Sequence, residues 1–420
     1  MKVAIVSTYG AGGAGIAALR LHRSLLKAGI ESTYVTLHKL QANEAHHEVY
    51  EHRPSIWQKV GFYLKKGLMA KNELLKAALD KRFDWISFPE SALRLENMAA
   101  IKEADVVHLH WVADFLNYDT FFASLKAKPI VWTLHDMAPM VGVCHYSVGC
   151  DGFEKACEMC PQISDLEARK DTATRALAVK TQSMQKGNIQ AIVTPSHWLG
   201  GLSKRSKLLA RYRHEVIANG MDNKVFCYQD RDEARLSLRI EPERDVVCFV
   251  ADDLANERKG FGRLLEALKI LGQSRQSITL ISIGVQDDSG TVVTGIEVRK
   301  VGKVTDPNEM ARYYAASDLF VTASLFDNLP NTIVEALGVG CPVVAFRATG
   351  IAEMLRPSID GIYAKDVTEA GLAAAIELGL ARKATFDRKE ISKCALEKYN
   401  PEKQASKYIK VYEDALKATF

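Results

Sequence analysis

Short apolar runs alternate along the whole chain with segments of helical periodicity, and each run has about the length of one β-strand. Unbroken apolar strands joined through helices predict parallel sheets that helices cover on both faces. Because the series occurs twice, the pattern predicts an α/β protein with two doubly wound, Rossmann-like domains. The runs are Val3–Val6, Thr33–Leu37, Val106–His110, Ile130–Leu134 and Ala191–Thr194, then Val246–Val250, Ile278–Ile283, Leu319–Thr322, Val343–Phe346 and Gly361–Tyr363.

The first series gives way to the second within residues 211–230. There a strand-like segment, His214–Ala218, is followed by the turn sequence Asn219-Gly220-Met221-Asp222. We therefore predict one domain over residues 1–222 and a second over residues 223–400. Residues 401–420 predict a terminal amphipathic helix that packs back on the first domain, because they open with a proline and repeat apolar residues at helical spacing. These apolar residues are Tyr408, Val411, Tyr412 and Leu416.

Composition narrows the class of protein. The chain has 420 residues, 47% apolar and 25% charged, with a formal net charge of +4, which excludes disordered, collagen-like and disulfide-stapled small proteins. No apolar run approaches the roughly 18 residues of a membrane span, and the N-terminus lacks the pattern of a signal peptide. Eight cysteines without an export signal are typical of thiols or metal ligands in a reducing compartment. We expect a cytoplasmic protein with no nucleic-acid partner.

A glycine-rich turn follows the first predicted strand. Gly10, Gly12 and Gly15 satisfy G-x-G-x-x-G between a strand and a helix, which is the context of a dinucleotide-binding site. The ribose-binding acid expected about 20 residues later is missing, because Thr36–Lys39 stands there, and this disfavours a dehydrogenase. Two interpretations remain. The turn lets the helix pack on the sheet, or its backbone N–H groups, including those of Gly12 and Gly13, bind an anionic ligand.

Charged residues follow two strands of the second half. Arg258 and Lys259 lie between a strand and a helix, at the sheet edge where ligands bind, and can neutralise a diphosphate. Taken alone, they are equally typical of a charged loop. Asp327 follows the strand Leu319–Thr322, and Glu335 lies on an otherwise apolar helix that begins near Pro330. Since a buried carboxylate is costly without partners, Glu335 should have hydroxyls or other donors to bind.

Together these motifs resemble the retaining glycosyltransferases of family 4, whose GT-B fold has two Rossmann-like domains facing across a cleft. The E-x7-E signature of that family reads Asp327-x7-Glu335 here, with Gly338–Ala345 and Gly350–Glu353 after it in the familiar order. The resemblance implies that Glu335 binds the nucleotide ribose, that Asp327 meets hydroxyls of the donor sugar, and that an Arg/Lys pair holds the diphosphate. Here that pair is Arg258 and Lys259.

The resemblance also implies a histidine that faces the transferred sugar from the first domain, and this is His135, at the end of the strand Ile130–Leu134. The expected catalytic set is therefore His135, Asp327, Arg258 and Lys259. The expected donor-binding set adds Gly12, Gly13, Asn328, Leu329, Asn331, Thr332 and Glu335. Two features depart from the family pattern: the first acid is Asp, and Asn328-Leu329-Pro330 replaces glycine-phenylalanine-glycine, so that Pro330 offers no N–H.

The reaction implied is transfer of a hexosyl group, with retention and without a catalytic metal or other cofactor. The donor is a nucleoside-diphosphate sugar, and the acceptor is a glycan or lipid-linked glycan of surface polysaccharide biosynthesis, including lipopolysaccharide. Two alternatives stay open. A non-catalytic GT-B subunit would bind sugar or a partner without transfer, and a sugar-nucleotide epimerase would use the same fold.

Four cysteines follow the His135 strand within a single loop. Cys144, Cys150, Cys157 and Cys160 have the spacing C-x5-C-x6-C-x2-C, which suits a tetrahedral structural zinc site although it is not a standard finger. Free thiols and, in a reducing compartment, reversible disulfides are the alternatives.

A basic segment lies in the first domain. Residues 53–82 contain eight Lys and Arg against Glu73 and Asp80, and Trp57, Val60, Leu64 and Leu68 form a helical stripe. A basic amphipathic helix can lie on an anionic membrane, so we expect peripheral attachment to the inner face of the cell membrane. A second basic patch contains Lys204, Arg205, Lys207, Arg211 and Arg213. The alternative is an ordinary surface helix whose apolar stripe packs on the sheet.

Overall fold

A computed structural model describes residues 1–40, 43–51, 72–76, 85–273, 275, 277–285 and 293–419. The chain folds into two compact units. One consists of Met1–Ala218 together with Glu402–Phe420, and the other of Asn219–Pro401. The division falls slightly before the predicted boundary at residues 222 and 223, so that the turn Asn219–Asp222 belongs to the second unit.

The first unit is built on a seven-stranded sheet of order β3-β2-β1-β4-β5-β6-β7, and every pair of neighbouring strands is parallel. This order places β1 beside both β2 and β4, which is the topological switch point of a doubly wound sheet. The strands are β1 Lys2–Ser7, β2 Glu31–Thr36, β3 His47–Val49, β4 Val106–Leu109, β5 Pro129–Thr133, β6 Asn188–Thr194 and β7 His214–Val216.

The second unit repeats this topology in a six-stranded parallel sheet of order β10-β9-β8-β11-β12-β13. Its switch point lies between β8 and β11. The strands are β8 Asp245–Asp253, β9 Ile278–Val285, β10 Ile296–Gly302, β11 Leu319–Thr322, β12 Val343–Phe346 and β13 Gly361–Ala364. The α/β fold class with two Rossmann-like sheets is thus confirmed.

Helices connect the strands in both units. Those of the first unit are Gly12–Lys27, Ala99–Glu103, Tyr118–Ser124, Leu166–Met184, His197–Arg205 and Pro401–Lys417. Those of the second unit are Arg231–Leu238, Phe261–Gly272, Pro307–Ala316, Asn331–Gly338, Glu369–Ala381 and Arg388–Lys398. The first helix begins at Gly12, four residues before the apolar periodicity that predicted it, so that part of the glycine-rich turn is its first turn.

The C-terminal helix Pro401–Lys417 completes the core of the first unit. Its buried residues Tyr408, Val411 and Tyr412 pack in one cluster with apolar side chains of β1, β2, β4, β5 and β6. The hydroxyl of Tyr408 pairs with Thr133 Oγ1 at 2.9 Å, and that of Tyr412 with His108 Nδ1 at 2.7 Å. The C-terminal helix, which follows the second unit in sequence, therefore packs on the sheet of the first unit.

Candidate active site

The charged motifs of the second unit meet at the carboxyl end of its switch point. Arg258 and Lys259 follow β8, and Asp327 follows β11, the neighbouring parallel strand. Parallel strands end at a common sheet edge, and the crevice outside a switch point is where doubly wound sheets bind ligands. Chain topology alone thus brings these three residues, separated by about 70 positions, to one place.

Arg258 and Lys259 lie in a tight 3₁₀ turn, Glu257–Lys259. The side chain of Asn256 accepts a hydrogen bond from the amide of Arg258 at 3.0 Å, and the amide of Leu325 donates to the carbonyl of Arg258 at 3.2 Å. Gly260 ends the turn with φ of +78°, and a Cβ there would lie 2.2 Å from the carbonyl oxygen of Ala323. The turn is therefore pressed against the loop that follows β11.

Asp327 is held by both cations. Lys259 Nζ lies 2.6 Å and Arg258 Nη1 lies 3.6 Å from its Oδ2, while Arg258 Nη1 also donates to the carbonyl of Phe326 at 2.8 Å. The Asp327 side chain is only 11% exposed. Burial by itself would raise the pKa of Asp327, but Lys259 and Arg258 outweigh it and hold the pKa below its ordinary value. The carboxylate is therefore ionised at neutral pH.

Glu335 lies in the helix Asn331–Gly338, with Pro330 just before it at φ of −62°. Glu335 is buried, and the hydroxyl of Tyr314 donates to its Oε2 at 3.4 Å. This hydroxyl is a polar partner of the kind that the apolar surroundings of Glu335 require. In the same loop and helix, Asn328 and Asn331 are buried, whereas Leu329 and Thr332 are half-buried. Asn219 Nδ2 donates to Asn331 Oδ1 at 3.2 Å.

In the first unit the glycine-rich turn follows β1 at the corresponding switch point. Two of its glycines have packing reasons, because a Cβ at Gly10 would overlap Leu40 and one at Gly15 would lie 2.3 Å from the carbonyl oxygen of Tyr9. Gly12 begins the helix at φ of +70°, and Gly13 has open space where a side chain would be. Packing therefore accounts for Gly10 and Gly15, and the binding of an anionic ligand by the N–H groups of Gly12 and Gly13 stays a prediction.

His135 follows β5 and lies beside several buried polar side chains. Its Nε2 pairs with His110 Nδ1 at 2.8 Å. The next residue, Asp136, accepts from Trp111 Nε1 at 2.7 Å and pairs with His145 Nδ1 at 2.6 Å. Burial lowers the pKa of His135 to about 4, although Asp136 acts in the opposite direction, so the ring is neutral at neutral pH. His135, His110 and Asp136 line one small cavity together with aromatic side chains.

Two histidines near the end of β4, His108 on the strand and His110 just after it, have different environments. His108 is enclosed between Thr133 and Tyr412, with 2.7 Å contacts from its two ring nitrogens, and so has a packing role. His110 contacts His135, and its Nε2 is buried without a hydrogen-bond partner among the described residues. Nothing in the sequence linked His110 to His135, because the pairing of β4 with β5 brings the ends of these two strands together. His145 contacts Asp136 through the fold of the loop that follows β5.

Two residues of the second unit were also missed. Tyr314, which contacts Glu335, belongs to the helix Pro307–Ala316 and carries no motif. Thr349 Oγ1 accepts from the amide of Asp327 at 3.1 Å, and the amide of Gly350 donates to the Asp327 carbonyl at 3.1 Å. The Gly350–Glu353 segment was noted as a family motif, but its contact with Asp327 had no signal in the sequence.

The four loop cysteines surround one small cavity, which all of them line. All four are free thiols. As the side chains stand, the described residues contain no group of three or more His, Cys, Asp or Glu side chains that could hold a metal ion.

Comparison with known proteins agrees with this arrangement. Residues 244–381 match the family described as Glycosyl transferases group 1. A protein of Escherichia coli K12 named for colanic acid biosynthesis, the glycosyl transferase WcaC, is 25% identical over 96% of this chain and 97% of its own length. The amylovoran biosynthesis glycosyltransferase AmsK of Erwinia amylovora is 30% identical over 38% of this chain and 40% of its own.

Solved structures identify the fold. The Anabaena protein HepE, crystallised with UDP and glucose, superimposes with a TM-score of 0.64 over 99% of this chain and 100% of its own, at 16% identity. At that identity the likeness speaks for the fold, while the family match covers the sheet that carries Arg258, Lys259, Asp327 and Glu335. The chain is therefore a glycosyltransferase with the GT-B fold, and its residues 244–381 match the glycosyl transferases group 1 family.

Proposed function

We propose that this glycosyltransferase moves a hexosyl group, with retention, from a nucleoside-diphosphate sugar to a glycan or lipid-linked acceptor of surface polysaccharide biosynthesis. Two relatives named for colanic acid and amylovoran biosynthesis support the pathway class, and the crystallised complex of HepE with UDP and glucose supports the donor class. The observation that carries the proposal is the contact of Asp327 with Lys259 and Arg258 at the second switch point.

Each of these side chains suits one part of such a donor. Arg258 offers a planar fork and Lys259 three donors to the diphosphate oxygens, and the two together supply two positive charges. Glu335 would accept hydrogen bonds from the ribose hydroxyls, and Asp327 from hydroxyls of the sugar. The contact between Lys259 and Asp327 would keep the ammonium in place beside the position that the diphosphate takes.

The transfer step needs positioning and charge stabilisation more than a protein nucleophile. As the bond from the sugar to the diphosphate breaks, negative charge develops on the leaving phosphate and positive charge on the sugar ring. Arg258 and Lys259 would stabilise the phosphate, which takes the proton of the attacking acceptor hydroxyl on the same face. Because two protein cations supply this charge, we propose that the chemistry needs no metal ion.

His135 is proposed to contact the transferred sugar as a neutral imidazole. Its low pKa favours a ring that exchanges hydrogen bonds with sugar hydroxyls over one that carries a positive charge. The aromatic side chains lining the adjacent cavity, among them Trp111 and Tyr118, are of the kind that pack on the apolar faces of sugars.

A donor screen tests the function most directly. A thermal-shift panel of nucleoside diphosphates and their sugars should raise the melting temperature for one base, since a ligand at 100 times its dissociation constant stabilises the folded state by about 2.7 kcal/mol. NMR of the product from the selected donor should show the anomeric configuration of the donor, and activity should survive EDTA. Inversion of configuration would contradict the retaining mechanism. Loss of activity in EDTA that added Mg²⁺ restores would contradict metal independence.

The same donor distinguishes the alternatives. An epimerase would isomerise the nucleotide sugar in the absence of acceptor, which NMR of the donor alone would reveal. A non-catalytic subunit would bind the donor and transfer nothing to extracts of lipid-linked glycans. Transfer that requires both donor and acceptor excludes both alternatives.

Membrane attachment remains part of the proposal. The basic segment 53–82 lies outside the described residues except for 72–76, where Lys76 Nζ contacts Asp114 at 2.8 Å. No helix within the described ranges is long and apolar enough to cross a membrane. In the second basic patch, Arg205 pairs with Glu154 and Arg213 with Glu215 and Asp414, so this patch is less positive than its sequence indicates.

Sedimentation with liposomes tests this attachment. Binding to anionic vesicles that weakens with added salt and is absent for neutral vesicles is expected, because each cation near the surface contributes about 1 kcal/mol. Equal binding to both vesicle types, or none, would favour a soluble acceptor.

A further inference from the structure

The loop between β5 and the helix Leu166–Met184 contains four cysteines around one cavity. Cys144 and Cys160 are buried, and Cys150 and Cys157 are half-buried. Cys144 belongs to one apolar cluster of the first unit and Cys160 to a second, while Cys157 packs against both. Apart from 3₁₀ turns such as Gly152–Glu154, residues 138–165 contain no helix or strand, so this junction has little regular structure to hold it.

One backbone N–H group contacts a sulfur of this loop, and others lie near two more of the four sulfurs. The amide of Gly152 donates to Cys150 Sγ at 3.3 Å. Backbone N–H groups of Gly142 near Cys157 and of Gln162 near Cys160 act against burial, which raises the pKa of both thiols. A neutral thiol is a weak acceptor, whereas a thiolate gains strongly from such donors. These donors favour the thiolate form, whereas burial of the loop favours the neutral thiols.

Two cations lie beside the same sulfurs. Lys180 is 1% exposed, and its Nζ donates to the carbonyls of Ala138 and Val141 at 2.7 and 2.9 Å. Cys144 and Cys157 are its strongest electrostatic neighbours, ahead of Asp136 and Glu90.

The second cation is Arg169. Its Nε donates to the carbonyl of Ile163 at 2.8 Å, and it interacts electrostatically with Cys160. Among the described residues, neither Lys180 nor Arg169 has a carboxylate in ion-pair contact. A buried ammonium with no carboxylate in direct contact is costly, so the neighbouring sulfurs are a suitable place for further negative charge.

We propose that Cys144, Cys150, Cys157 and Cys160 bind one structural Zn²⁺ that joins the two apolar clusters of the first unit. On binding, the four thiols release four protons and form four zinc–sulfur bonds, without any change of oxidation state. The tetrathiolate centre carries a net charge of −2, which Lys180 and Arg169 together balance. All four cysteines belong to the first unit, whereas the proposed diphosphate-binding residues belong to the second.

Zinc binding requires the four side chains to turn from their present positions toward the centre of the cavity. The segment that must adjust is short and already has an unusual backbone, since Cys157 and Met159 have φ of +53° and +49°. Left-handed conformations at non-glycine residues persist where the surroundings impose them. A metal bound between Cys157 and Cys160 would impose this conformation on the C-x2-C segment.

The primary test is the metal content of the wild-type full chain. Untagged protein purified without chelator should contain one zinc per chain by inductively coupled plasma mass spectrometry. Cobalt exchanged into the site should give the visible absorption of a tetrahedral thiolate complex. A folded protein without metal overturns the proposal, and so does an intact mass lower by two or four hydrogens, which would mean disulfides.

Variants assign the ligands. Cys157→Ser and Cys160→Ser should each lose the zinc, whereas Cys227→Ser and Cys394→Ser, which lie in the second unit, should keep one per chain. Retention of zinc by the first pair overturns the assignment. If that pair fails to fold, removing zinc from the wild type with a strong chelator and measuring its melting temperature gives the answer, because the apo protein must melt lower.

Lys180 offers a further test that does not alter a ligand. Lys180→Met should release zinc to a competing chelator at a concentration at least tenfold lower than the wild type requires. Lys186→Met, which removes an exposed lysine that pairs with Asp119, should behave as the wild type. Equal zinc affinity in all three proteins would contradict the role given to the buried ammonium.

Discussion

At the scale of single residues, the donor site depends on a carboxylate kept ionised inside the protein. Asp327 would be costly to bury alone, and Lys259 at 2.6 Å with Arg258 at 3.6 Å offsets that cost. The same two cations are the groups proposed to bind the diphosphate. One cluster therefore serves both the stability of the loop and the recognition of the donor.

Lys259→Met should weaken donor binding about tenfold to a hundredfold, because a charge-assisted hydrogen bond contributes about 1.5–3 kcal/mol. The variant should stay folded, since Arg258 still accompanies Asp327. Glu335→Gln should also weaken donor binding. Isothermal calorimetry with the nucleoside diphosphate and with its sugar measures both effects.

Lys269→Met is the matched control for this measurement. Lys269 lies on the helix Phe261–Gly272 and is half exposed, with Glu266 as its partner at 2.6 Å. Its removal should leave donor affinity unchanged. Unchanged affinity in Lys259→Met as well would refute the assignment of the cation pair to the diphosphate.

The buried histidines of the first unit predict how stability depends on pH. Burial lowers the pKa of His108 to about 3 and that of His135 to about 4, and it also lowers the pKa of His110. The unfolded chain takes up these protons near the ordinary value of 6.5, whereas the folded chain does not. Stability is therefore fully present above about pH 6.5 and is lost as the pH falls toward about 4.

Urea unfolding at a series of pH values checks this expectation. His108→Gln should flatten the acid slope, because one of the groups protonated only in the unfolded chain is gone. His197→Gln, at the exposed start of the helix His197–Arg205, should keep the slope of the wild type. Parallel slopes in all three proteins would show that other groups govern acid unfolding.

At the scale of elements, the short turn before the helix Phe261–Gly272 sets the position of the cations. It ends in Gly260, which has both a positive φ and a backbone oxygen 2.2 Å from the position of a Cβ. Gly262, in the first turn of the helix, has nothing within 4 Å of that position. Two glycines two residues apart thus have opposite structural requirements.

Gly260→Ala should lower the free energy of unfolding by at least about 2 kcal/mol, from the left-handed backbone and the clash with Ala323. Gly262→Ala should instead raise it by up to about 1 kcal/mol, because alanine is the better helix former. Denaturant unfolding of both variants, followed by a probe of the second unit, measures the difference. A Gly260→Ala protein as stable as Gly262→Ala would show that the turn relaxes freely.

At the scale of the whole molecule, the first unit is discontinuous in sequence. Its core includes Tyr408, Val411, Tyr412 and Ala415 from a helix that follows the entire second unit. Burying each large apolar side chain contributes about 1.5–3 kcal/mol, so this helix supplies an amount comparable to the whole stability of a domain.

Removal of residues 402–420 should therefore unfold the first unit and leave the second intact. Limited proteolysis should then yield a resistant fragment close to Asn219–Pro401, and circular dichroism should show the loss of helix and strand. A chain that ends at Lys417 is the control and should resemble the wild type, since it keeps the buried face of the helix. Wild-type resistance of the shorter chain would contradict the role of the helix.

The sequence by itself determined the α/β class and the parallel direction of the strands in both sheets, because buried parallel strands are continuous apolar runs. The two strands it missed, β3 His47–Val49 and β10 Ile296–Gly302, are edge strands. Their side chains are half-buried or exposed at most positions, so they carry no apolar signal. The sequence also indicated Arg258, Lys259 and Asp327, because charged residues after apolar strands stand at the ligand-binding edge. It indicated Glu335 because a carboxylate on an otherwise apolar helix requires polar partners.

Only the tertiary structure decided which side chains surround these residues. Tyr314 beside Glu335, Thr349 beside Asp327, and His110 beside His135 come from other elements. The same holds for Lys180 beside the cysteines and for Tyr412 on His108. The physical reason is one of range: periodicity and capping are properties of neighbouring residues, whereas a contact across strands or between helix and sheet depends on how the layers pack.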